Sequence, residues 1–400
     1  MPEAVIVATA RSPIGRANKG SLVDCRPDDL TAGIVKAALE KVPALDPQSV
    51  EDLILGCGQP GGEAGYNAAR VAAILAGMPD VPGVTVNRYC SSSLQAIRMA
   101  SHAIKAGEGD VFIAAGVETV SRFQFGAADT GPHNPKFSDA EERSRERTNG
   151  ASSWEPPSGL PDIYIAMGQT AENVRLAENV GRREMDEFAA LSQQRAVESQ
   201  KNGFFEREIT PVTLPDGTVV SKDDGPREGT TVEKLSELKP VFRPDGEVTA
   251  GNACPLNDGA AAVIVMSDTR ARELGITPMA RVVASGVSGL NPEIMGLGPI
   301  EACRQALARA GMTIDDIDLV EINEAFAAQV IPSAKHLGIP WDKLNVNGGA
   351  IALGHPFGMT GARIMTTLLN GLEDADKRFG LESMCVGGGQ GMAMIVERLN

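Results

Sequence analysis

The stretch that decides the fold is Gly83-Val84-Thr85-Val86-Asn87, a short β-branched run that precedes a helical run over Ser91–Ala106. A similar stretch, Leu344-Asn345-Val346-Asn347, comes far downstream and precedes a helical run from Pro356 to about Asp374. A strand–helix unit that occurs twice in one chain indicates an internal duplication. We therefore expect two similar halves.

The segments around these two units match in the same order. In each half an opening strand is followed by a helix and a second strand, and the strand–helix unit is followed by another strand. Alternating strands and helices predict mostly parallel pairing, in sheets that helices cover on the outside. The matched pairs are the strands Ala4–Thr9 and Ala280–Ser285, the helices Leu30–Val42 and Pro299–Ala310, the strands Ser49–Gly56 and Ile317–Asn323, and the strands Val111–Gly116 and Glu382–Gly387.

The last strand of the pattern indicates that the first half is interrupted. Gly391–Glu397 closes the second half, whereas its match in the first half, Gly259–Met266, comes only after a long insert. The insert is rich in charge, Pro and Gly around Thr130–Pro161 and carries helical stretches at Gln169–Glu178 and Arg183–Asn202. The sequence thus predicts an α/β fold of two similar mixed-sheet βαβ halves, with helices between and outside them and an inserted loop domain. The expected boundaries are residues 1–118 plus 251–270 for the N-terminal half, 119–250 for the loop domain and 271–400 for the C-terminal half.

Composition limits the function classes. Acidic residues number 52 and basic residues 37, and the net charge of −15 disfavours nucleic acid as a partner. The longest apolar runs, such as Ala260–Met266, fall short of the ~20 residues that span a bilayer, so we expect no membrane insertion. The start lacks a basic region before an apolar stretch, and the six cysteines include no CxxC pair. These features predict a cytoplasmic location, reduced thiols and no metal site.

Polar side chains follow four of the predicted strands. Because ligands of open α/β sheets bind beyond the carboxyl ends of strands, these positions are candidates for the functional site. Two Cys, one His and one Asn at equivalent sheet edges indicate acyl transfer. The four residues are Cys90, after the strand 83–87; Asn323, at the end of the strand from Ile317; His355, after Val346-Asn347; and Cys385, which precedes Gly387-Gly388-Gly389.

Each candidate also has a purely structural interpretation. Cys90 opens a helix whose free N–H groups favour a thiolate, but a buried Cys at a tight turn fits equally well. His355 precedes a proline that suits a first helical position, so His could simply cap that helix. Asn323 is a favoured N-cap for a helix over Glu324–His336. Cys385 could be an ordinary strand thiol, although the three glycines after it let a ligand approach closely.

Four blocks of the sequence resemble the signature blocks of the thiolases, that is, the acetyl-CoA acetyltransferases and 3-ketoacyl-CoA thiolases. They occur in the family's order, and the resemblance covers essentially the whole chain. It implies the duplicated thiolase fold, in agreement with the repeat, and it implies CoA and acyl-CoA as substrates with no permanently bound cofactor. The blocks are Val86-Asn87-Arg88-Tyr89-Cys90-Ser91-Ser92, Asn323-Glu324-Ala325-Phe326, Asn347-Gly348-Gly349-Ala350 through Gly354-His355-Pro356, and Cys385-Val386-Gly387-Gly388-Gly389.

The resemblance also implies a role for each residue. Cys90 would attack the substrate carbonyl and carry the acyl group as a thioester, and His355 would take the thiol proton. Cys385 would exchange a proton with the acetyl-CoA carbanion equivalent. Asn323 would hold a water that, with His355, stabilises the enolate oxygen. The N–H groups of Cys90 and Gly387 would form a second oxyanion hole, for the tetrahedral intermediates.

By the same resemblance, coenzyme A would lie across the loop domain. Its adenine-phosphate end would contact Arg227, which could equally form an ion pair within the acidic stretch from Asp223 to Glu228. Cys254 stands where the family has a Ser that contacts the thioester, and a thiol is the weaker donor. The family also implies a homodimer or homotetramer. The pantetheine and acyl channel would be lined by Met167, Phe242, Ala250, Met295 and Phe326.

Ala166 bears on the substrate. Short-chain members that act on acetoacetyl-CoA often carry His at this position, and Ala would leave room for further methylenes, each worth about 0.8 kcal/mol when buried. We therefore predict a 3-ketoacyl-CoA thiolase that accepts chains beyond acetoacetyl-CoA and serves a β-oxidation-like degradation. Residues Phe123–Pro161 could instead fold in and fill the vacated space.

Several alternatives stay open. One is a short-chain biosynthetic acetyl-CoA acetyltransferase, and another is a ketosynthase-like condensing enzyme, which would lack the second catalytic cysteine. Another is a non-catalytic acyl-CoA carrier, which would not need both thiols. A nucleotide-dependent oxidoreductase is disfavoured because no phosphate-binding glycine motif stands between a strand and a helix.

Overall fold

The structure is a computed structural model that describes residues 2–123, 127–128 and 130–400. Its described strands are β1 (Ala4–Arg11), β2 (Gly15–Arg16), β3 (Asp52–Cys57), β4 (Gly83–Val86), β5 (Val111–Thr119), β6 (Val212–Thr213), β7 (Val219–Val220), β8 (Asn257–Ser267), β9 (Ala280–Gly289), β10 (Leu319–Ile322), β11 (Phe379–Val386) and β12 (Gln390–Arg398). Its described helices are α1 (Pro27–Glu40), α2 (Ala68–Leu75), α3 (Ser92–Ala106), α4 (Ser138–Arg147), α5 (Met167–Glu178), α6 (Arg182–Lys201), α7 (Val232–Ser236), α8 (Asp268–Glu273), α9 (Gly298–Ala310), α10 (Ala327–Leu337), α11 (Ala350–Leu353) and α12 (Thr360–Asp374).

Ten of the described strands form one large sheet whose order repeats from its middle towards both edges. The order is β1-β8-β5-β3-β4 in one direction and β9-β12-β11-β10 in the other. The two halves meet where Val5 and Ile6 of β1 pair with Arg281 and Ala280 of β9. In each half the first strand lies beside the last, and the strands joined by helices lie towards the edge. The predicted duplication, with two similar mixed-sheet halves, is confirmed.

The two halves pack as layers around a central pair of helices. Leu94 of α3 and Ile364 of α12 belong to one buried apolar cluster that also includes residues of strands from both halves. Helices α1 and α2 cover the outer face of the N-terminal half, with Ile34 among the buried residues there. Helices α9 and α10 cover the outer face of the C-terminal half through residues such as Ala302 and Val330. Helices thus lie between and outside the halves, as predicted.

The strand pairing differs from the prediction of mostly parallel sheets. Parallel pairs join β3 to β4, β3 to β5 and β10 to β11. The pairs of β5 with β8, β8 with β1, β11 with β12 and β12 with β9 are antiparallel. A crossover helix makes the strands that it joins parallel, whereas β8 follows the long insert and β12 follows a tight turn of three glycines. Parallel pairing is therefore confined to the crossover units.

The prediction of a strand at Leu344–Asn347 is wrong. Within this stretch only Leu344 pairs with a strand, through a single bridge to Val320. Asn345 lies at a φ of 46°, in the left-handed region that Asn tolerates. Its side-chain amide accepts a hydrogen bond from the Ile322 N–H at 2.8 Å and donates one to the Ile322 carbonyl at 2.9 Å. Backbone groups pair with β10 at Val320, and the side-chain amide takes over this pairing at Ile322.

Two predicted helices begin several residues later than expected, at Thr360 and at Ala327. Phe326, directly before the second of them, is extended and forms a bridge with the exit of the insert. His355 and Asn323 therefore lie in loops ahead of these helices. The interpretation of either residue as a helix cap is wrong.

The insert contains both predicted helices, as α5 and α6. It is held to the N-terminal half by Arg11 of β1, which is buried and forms ion pairs at 2.8 Å with Glu208 and with Asp223. Within the stretch Phe123–Pro161, residues 124–126 and 129 lie outside the described residues. The boundaries of the loop domain, residues 119–250, stay a prediction.

Candidate active site

Cys90 lies in a 3₁₀ turn, Tyr89–Ser91, between β4 and α3. The Ser92 hydroxyl fixes this turn, because it accepts from the Arg88 N–H at 2.9 Å and donates to the Tyr89 carbonyl at 2.7 Å. Burial raises the pKa of Cys90 to about 12, although the N–H groups of Gly387 and of Cys90 itself oppose the rise. The expectation that the helix start favours a thiolate is therefore wrong, because burial outweighs these donors.

Two further thiols lie close to Cys90. One is Cys385, near the end of β11. Burial is the largest cause that raises its pKa, and the charges of Cys90 and Cys254 raise it further. Burial, followed by the charge of Cys90, also raises the pKa of Cys254. The Cys254 N–H donates to the Ala325 carbonyl at 3.0 Å, which seats the exit of the insert beside the loop after β10. The structure thus brings together Cys90, Cys385 and Cys254, which come from the two halves and from the segment directly after the insert.

His355 lies in the loop before α12 and is 1% exposed. Its backbone N–H donates to Asn257 Oδ1 at 2.9 Å, and its ring stands edge-on to Phe357 with ring centres 5.3 Å apart. Ring atom Nδ1 lies 2.6 Å from Thr360 Oγ1, and the Asn323 amide nitrogen lies 3.3 Å from Nε2. Burial first, and then a nearby arginine, lowers the pKa of His355 to about 3, so the ring is neutral.

Asn323 follows β10 directly and is also buried. Its backbone is fixed on both sides, since its N–H donates to the Ser383 carbonyl at 2.9 Å and its carbonyl accepts from Gln329 Nε2 at 2.6 Å. Its amide nitrogen faces the His355 ring, whereas no group of the described residues donates to its buried Oδ1. That oxygen can accept a hydrogen bond from a water or from substrate.

A cavity of about 230 Å³ opens at Cys90. Gly387 and Gly388 form part of its wall, as does Phe357, whose ring packs against His355. Within the described part of the chain no hydrogen bond joins His355 to Cys90. The other lining residues are Gln59, Tyr89, His133, Ile163, Tyr164, Ile165, Ala166 and Met167.

His133 belongs to the stretch Phe123–Pro161 and bounds this cavity together with Tyr164. The two rings stack with centres 3.8 Å apart, and His133 Nδ1 lies 2.9 Å from Glu141 Oε2. Ala166 lines the same cavity. Residues of the insert therefore limit the part of the cavity that the small side chain of Ala166 leaves free.

Glu118 was missed by sequence analysis. It is buried at the end of β5, and its carboxylate accepts from the N–H groups of Gly58 at 2.7 Å, Gln59 at 3.1 Å and Gly358 at 2.8 Å. Burial raises the pKa of Glu118 to about 7, against the effect of these three donors. The carboxylate thus connects the loop after β3 to the loop that carries His355.

Thr360 and Asn257, the two contacts that hold His355, were also missed. Thr360 follows His355 by five residues, just beyond the signature block that ends at Pro356, and this proximity was the available signal. Asn257 and Glu118 lie far from His355 in sequence, and no spacing points to either of them.

The residues expected along the pantetheine channel come together in part. Phe242 and Phe326 stand edge-on with ring centres 6.1 Å apart, and Met295 is buried in the same apolar cluster as Phe326. Met167 is 36% exposed and lines the cavity at Cys90. Ala250 is exposed at the exit of the insert.

Arg227 is exposed, and its acidic neighbours are engaged elsewhere. Asp223 and Asp224 bond to groups at and just after β1, and Glu228 forms an ion pair with Lys201. Among the described residues no ion pair includes Arg227, so the interpretation of its guanidinium as part of an acidic ion-pair cluster is wrong.

Comparison with known proteins identifies the family. The family model for the thiolase N-terminal domain matches residues 4–269, and that for the thiolase C-terminal domain matches residues 276–398. The chain is a thiolase. It is 43% identical to the beta-ketoadipyl-CoA thiolase of Acinetobacter baylyi and 44% identical to the 3-ketoacyl-CoA thiolase of Aeromonas hydrophila, over 100% of both chains in each case. The crystal structure of the Bacillus anthracis acetyl-CoA acetyltransferase superposes with a TM-score of 0.86 at 38% identity, covering 100% of this chain and 99% of that one.

As a thiolase, the protein is an acyltransferase that cleaves or forms 3-ketoacyl-CoA esters, with CoA and acyl-CoA as substrates and no permanent cofactor. The predicted family, fold and enzyme class are confirmed, and the family match overturns the ketosynthase-like and oxidoreductase alternatives. Within the described ranges, no group of three or more His, Cys, Asp or Glu side chains is arranged to hold a metal ion. Among the helices that the structure describes, none combines the length and the hydrophobicity needed to cross a membrane.

Proposed function

We propose that this thiolase cleaves a 3-ketoacyl-CoA with CoA into an acyl-CoA and acetyl-CoA through an acyl-enzyme on Cys90, and catalyses the reverse Claisen condensation. One observation carries the proposal: Cys90 lines a cavity against the N–H of Gly387, with the Cys385 thiol beside it. Ketoacyl cleavage requires a nucleophile, a donor to the developing oxyanion and an acid for the departing carbanion.

In the first step Cys90 attacks the 3-keto carbonyl carbon. His355 takes the thiol proton, because the neutral ring has a nitrogen lone pair that can accept it. The N–H groups of Cys90 and Gly387 donate to the oxygen of the tetrahedral intermediate, and one such donor is typically worth ~3 kcal/mol. The C2–C3 bond then breaks, and its electron pair leaves on C2 as the enolate of acetyl-CoA.

In the next step Cys385 protonates C2 of this enolate, while His355 and an Asn323-bound water stabilise its oxygen. The unpartnered Oδ1 of Asn323 supports this role, since it can accept one hydrogen of such a water and leave the other for the enolate. Acetyl-CoA leaves, and a second CoA thiol then attacks the Cys90 thioester while the Cys385 thiolate takes its proton. This releases the acyl-CoA, and the proton that His355 holds returns to Cys90 and restores its thiol.

Coenzyme A is proposed to lie across the insert with its phosphates at Arg227. The exposed guanidinium without an ion-pair partner in the described chain supports this, as does Lys234 on the same segment, whose ammonium donates to the Gly229 carbonyl at 2.7 Å. Cys254 lies near the thioester, where its thiol is a weak donor. The channel is proposed to be lined by Met167, Phe242, Ala250, Met295 and Phe326.

The acyl group is proposed to be longer than acetyl, in a β-oxidation-like degradation of fatty acyl chains. Ala166 in the cavity wall supports this, whereas the stack of His133 on Tyr164 limits the length. Relatives that are named 3-ketoacyl-CoA and beta-ketoadipyl-CoA thiolases favour chains beyond acetoacetyl-CoA. The acetyl-CoA acetyltransferase from Bacillus anthracis supports the short-chain alternative.

A homodimer or homotetramer in the cytoplasm completes the proposal. Strand β4 is an edge strand of the large sheet, and an unpaired edge favours association. Beside it, Tyr66, Ile74 and Leu75 are 87%, 51% and 42% exposed, which supports pairing of two copies at this face. The six free cysteines are in keeping with a reducing compartment.

A ladder of 3-ketoacyl-CoA substrates tests the substrate. We expect kcat/KM for thiolysis to rise well over tenfold from acetoacetyl-CoA to substrates with a few more methylenes. Ala166→His should reduce the rates on longer chains more than the rate on acetoacetyl-CoA. A maximum at acetoacetyl-CoA with a steep fall at the next chain length would instead identify a biosynthetic acetyltransferase. A maximum at 3-oxoadipyl-CoA would identify a dicarboxylate as the substrate.

A further inference from the structure

We infer that Thr360 is a positioning residue that holds His355 as the tautomer with its hydrogen on Nδ1, so that Nε2 is the atom that exchanges protons. The inference rests on the proposed role of His355 as the base. Which ring nitrogen carries the hydrogen is set by the partner of the other nitrogen. Here Nδ1 has the Thr360 hydroxyl as its partner, and the other contact of that hydroxyl gives the answer.

The hydrogen bonds of Thr360 show that Nδ1 of the His355 ring carries a hydrogen. Thr360 Oγ1 lies 2.8 Å from the Pro356 carbonyl and 2.6 Å from His355 Nδ1. The hydroxyl has one hydrogen, and a carbonyl oxygen can only accept, so the hydrogen is donated to Pro356. The hydroxyl oxygen must then accept from the ring, which requires a hydrogen on Nδ1. The opposite assignment would leave two oxygens 2.8 Å apart with no hydrogen between them.

Asn323 does not distinguish the two ring nitrogens. Its amide nitrogen lies 3.3 Å from Nε2 and 3.5 Å from Nδ1, so it stands off the direction of the Nε2 lone pair, which points away from Nδ1. The side chain's other atom, Oδ1, points to no donor within the described residues. The assignment of the tautomer therefore rests on the Thr360 hydroxyl.

The surroundings of His355 keep its ring from exchanging between the two tautomers. Thr360, His355 and Asn323 are each at most 1% exposed, so solvent does not compete for the ring nitrogens. The His355 backbone is held by Asn257, whose amide nitrogen in turn donates to the Gly15 carbonyl at 3.0 Å. Without the Thr360 hydroxyl, Nδ1 has no acceptor, and a ring with its hydrogen on Nε2 can no longer take the Cys90 proton.

Nitrogen NMR of the full-length enzyme labelled with ¹⁵N-histidine tests the inference directly. The chain has four histidines, and loss of one signal in His355→Asn assigns the fourth. We expect wild-type His355 to show the neutral Nδ1–H pattern, and Thr360→Val to shift it to Nε2–H or to a mixture. Thr360→Ser, which keeps the hydroxyl, should restore the wild-type pattern.

Thr366→Val is the matched control. Thr366 is buried on the same helix, and its hydroxyl donates to the Ala362 carbonyl at 2.8 Å, just as Thr360 donates to Pro356. Both valine variants should lose similar thermal stability, but only Thr360→Val should lower kcat/KM for thiolysis, by roughly 10–100-fold, with rescue by Thr360→Ser. An Nε2–H pattern in the wild type, or unchanged His355 signals in Thr360→Val, would overturn the inference and leave the thiolase mechanism standing. Full activity in His355→Asn would instead overturn the proposed function of His355.

Discussion

Glu118 Oε2 accepts a hydrogen bond from the Gly358 N–H at 2.8 Å, across 240 residues of sequence. The contact joins the last residues of β5 in the N-terminal half to the loop of the C-terminal half that carries His355. The same carboxylate also holds Gln59, which lines the cavity at Cys90. One buried side chain therefore sets the relative position of the groups from the two halves.

Glu118→Gln should loosen this connection. The amide keeps one acceptor oxygen and turns an NH₂ group towards backbone donors, and an unpaired buried N–H costs about 1–3 kcal/mol. We expect a lower melting temperature and a fall in kcat/KM of roughly tenfold or more. Glu63→Gln, at a more exposed ion pair with Arg122, serves as control and should change kcat/KM little. Wild-type kinetics in Glu118→Gln would contradict the positioning role.

Glu321 should make stability depend on pH. Glu321 and Glu382 are partners in register on β10 and β11, and burial raises the pKa of Glu321 from its ordinary value of 4.5 to about 8. Between these values the folded chain binds more protons than the unfolded chain, so stability falls as pH rises through this window. Glu321→Gln should remove part of that fall, on the order of 1–4 kcal/mol.

Urea unfolding at several pH values between about 5 and 8.5 measures this effect, at one protein concentration. Glu373→Gln, at an exposed position of α12, is the control and should keep the wild-type slope. The same slope in wild type and Glu321→Gln would show that Glu321 does not carry the titration.

Cys90 should carry the acyl group. Incubation with acetyl-CoA should add one acetyl mass to the intact protein, and peptide mapping should locate it on Cys90. Cys90→Ala should take up none, whereas Cys303→Ala, which removes a buried thiol of α9, should still be labelled. Label that persists in Cys90→Ala would move the nucleophile to Cys254 or Cys385.

Cys385 should take part in proton transfer and not in formation of the acyl-enzyme. Cys385→Ala should therefore form the acyl-enzyme at Cys90, yet lose thiolysis and condensation by roughly 10²–10⁴-fold, the usual effect of a positioned acid–base group. Mass spectrometry of the acylated variant and steady-state rates separate the two steps. If a folded Cys385→Ala failed to acylate, the roles of the two thiols would have to be reassigned.

Arg227 should affect binding more than chemistry. Arg227→Ala should raise KM for CoA by roughly tenfold with little change in kcat, and the dependence of KM on ionic strength should weaken because one phosphate contact is lost. Arg183→Ala, which removes an exposed arginine paired with Glu187 on α6, is the control. A lower kcat with an unchanged KM would place Arg227 away from the cofactor's phosphates.

Sequence patterns predicted much of the fold and part of the site. The duplicated strands and helices were predictable because their hydrophobic periods are local. Cys90 stands out by its position after a strand, Cys385 by its position near the end of one, and His355 by the signature block that contains it. The predicted strand Leu344–Asn347 does not form, because the backbone pairing stops after Val320 and the Asn345 side-chain amide pairs with Ile322 instead. The sequence also has no local signal for the direction of β8, the strand after the long insert, because a long connection can return a strand in either direction.

The contacts that hold the site could not be predicted in the same way. Glu118 and Asn257 reach the His355 loop from distant parts of the chain, and burial, which reverses the expected behaviour of the Cys90 thiol, depends on the packing of both halves. Periodicity and spacing describe what a segment does by itself. They do not describe which buried group it will meet.

The seam at which β1 pairs with β9 joins two copies of one architecture that have diverged in chemistry. In the mechanism proposed here, the first copy supplies the nucleophile and the second supplies the groups that move protons. Neither copy is a complete catalyst, so an ancestor with a single copy would have needed two identical chains to meet at this seam, each contributing the same residues. Duplication within one gene removes that constraint, because each copy can then accept substitutions that would be harmful in the other.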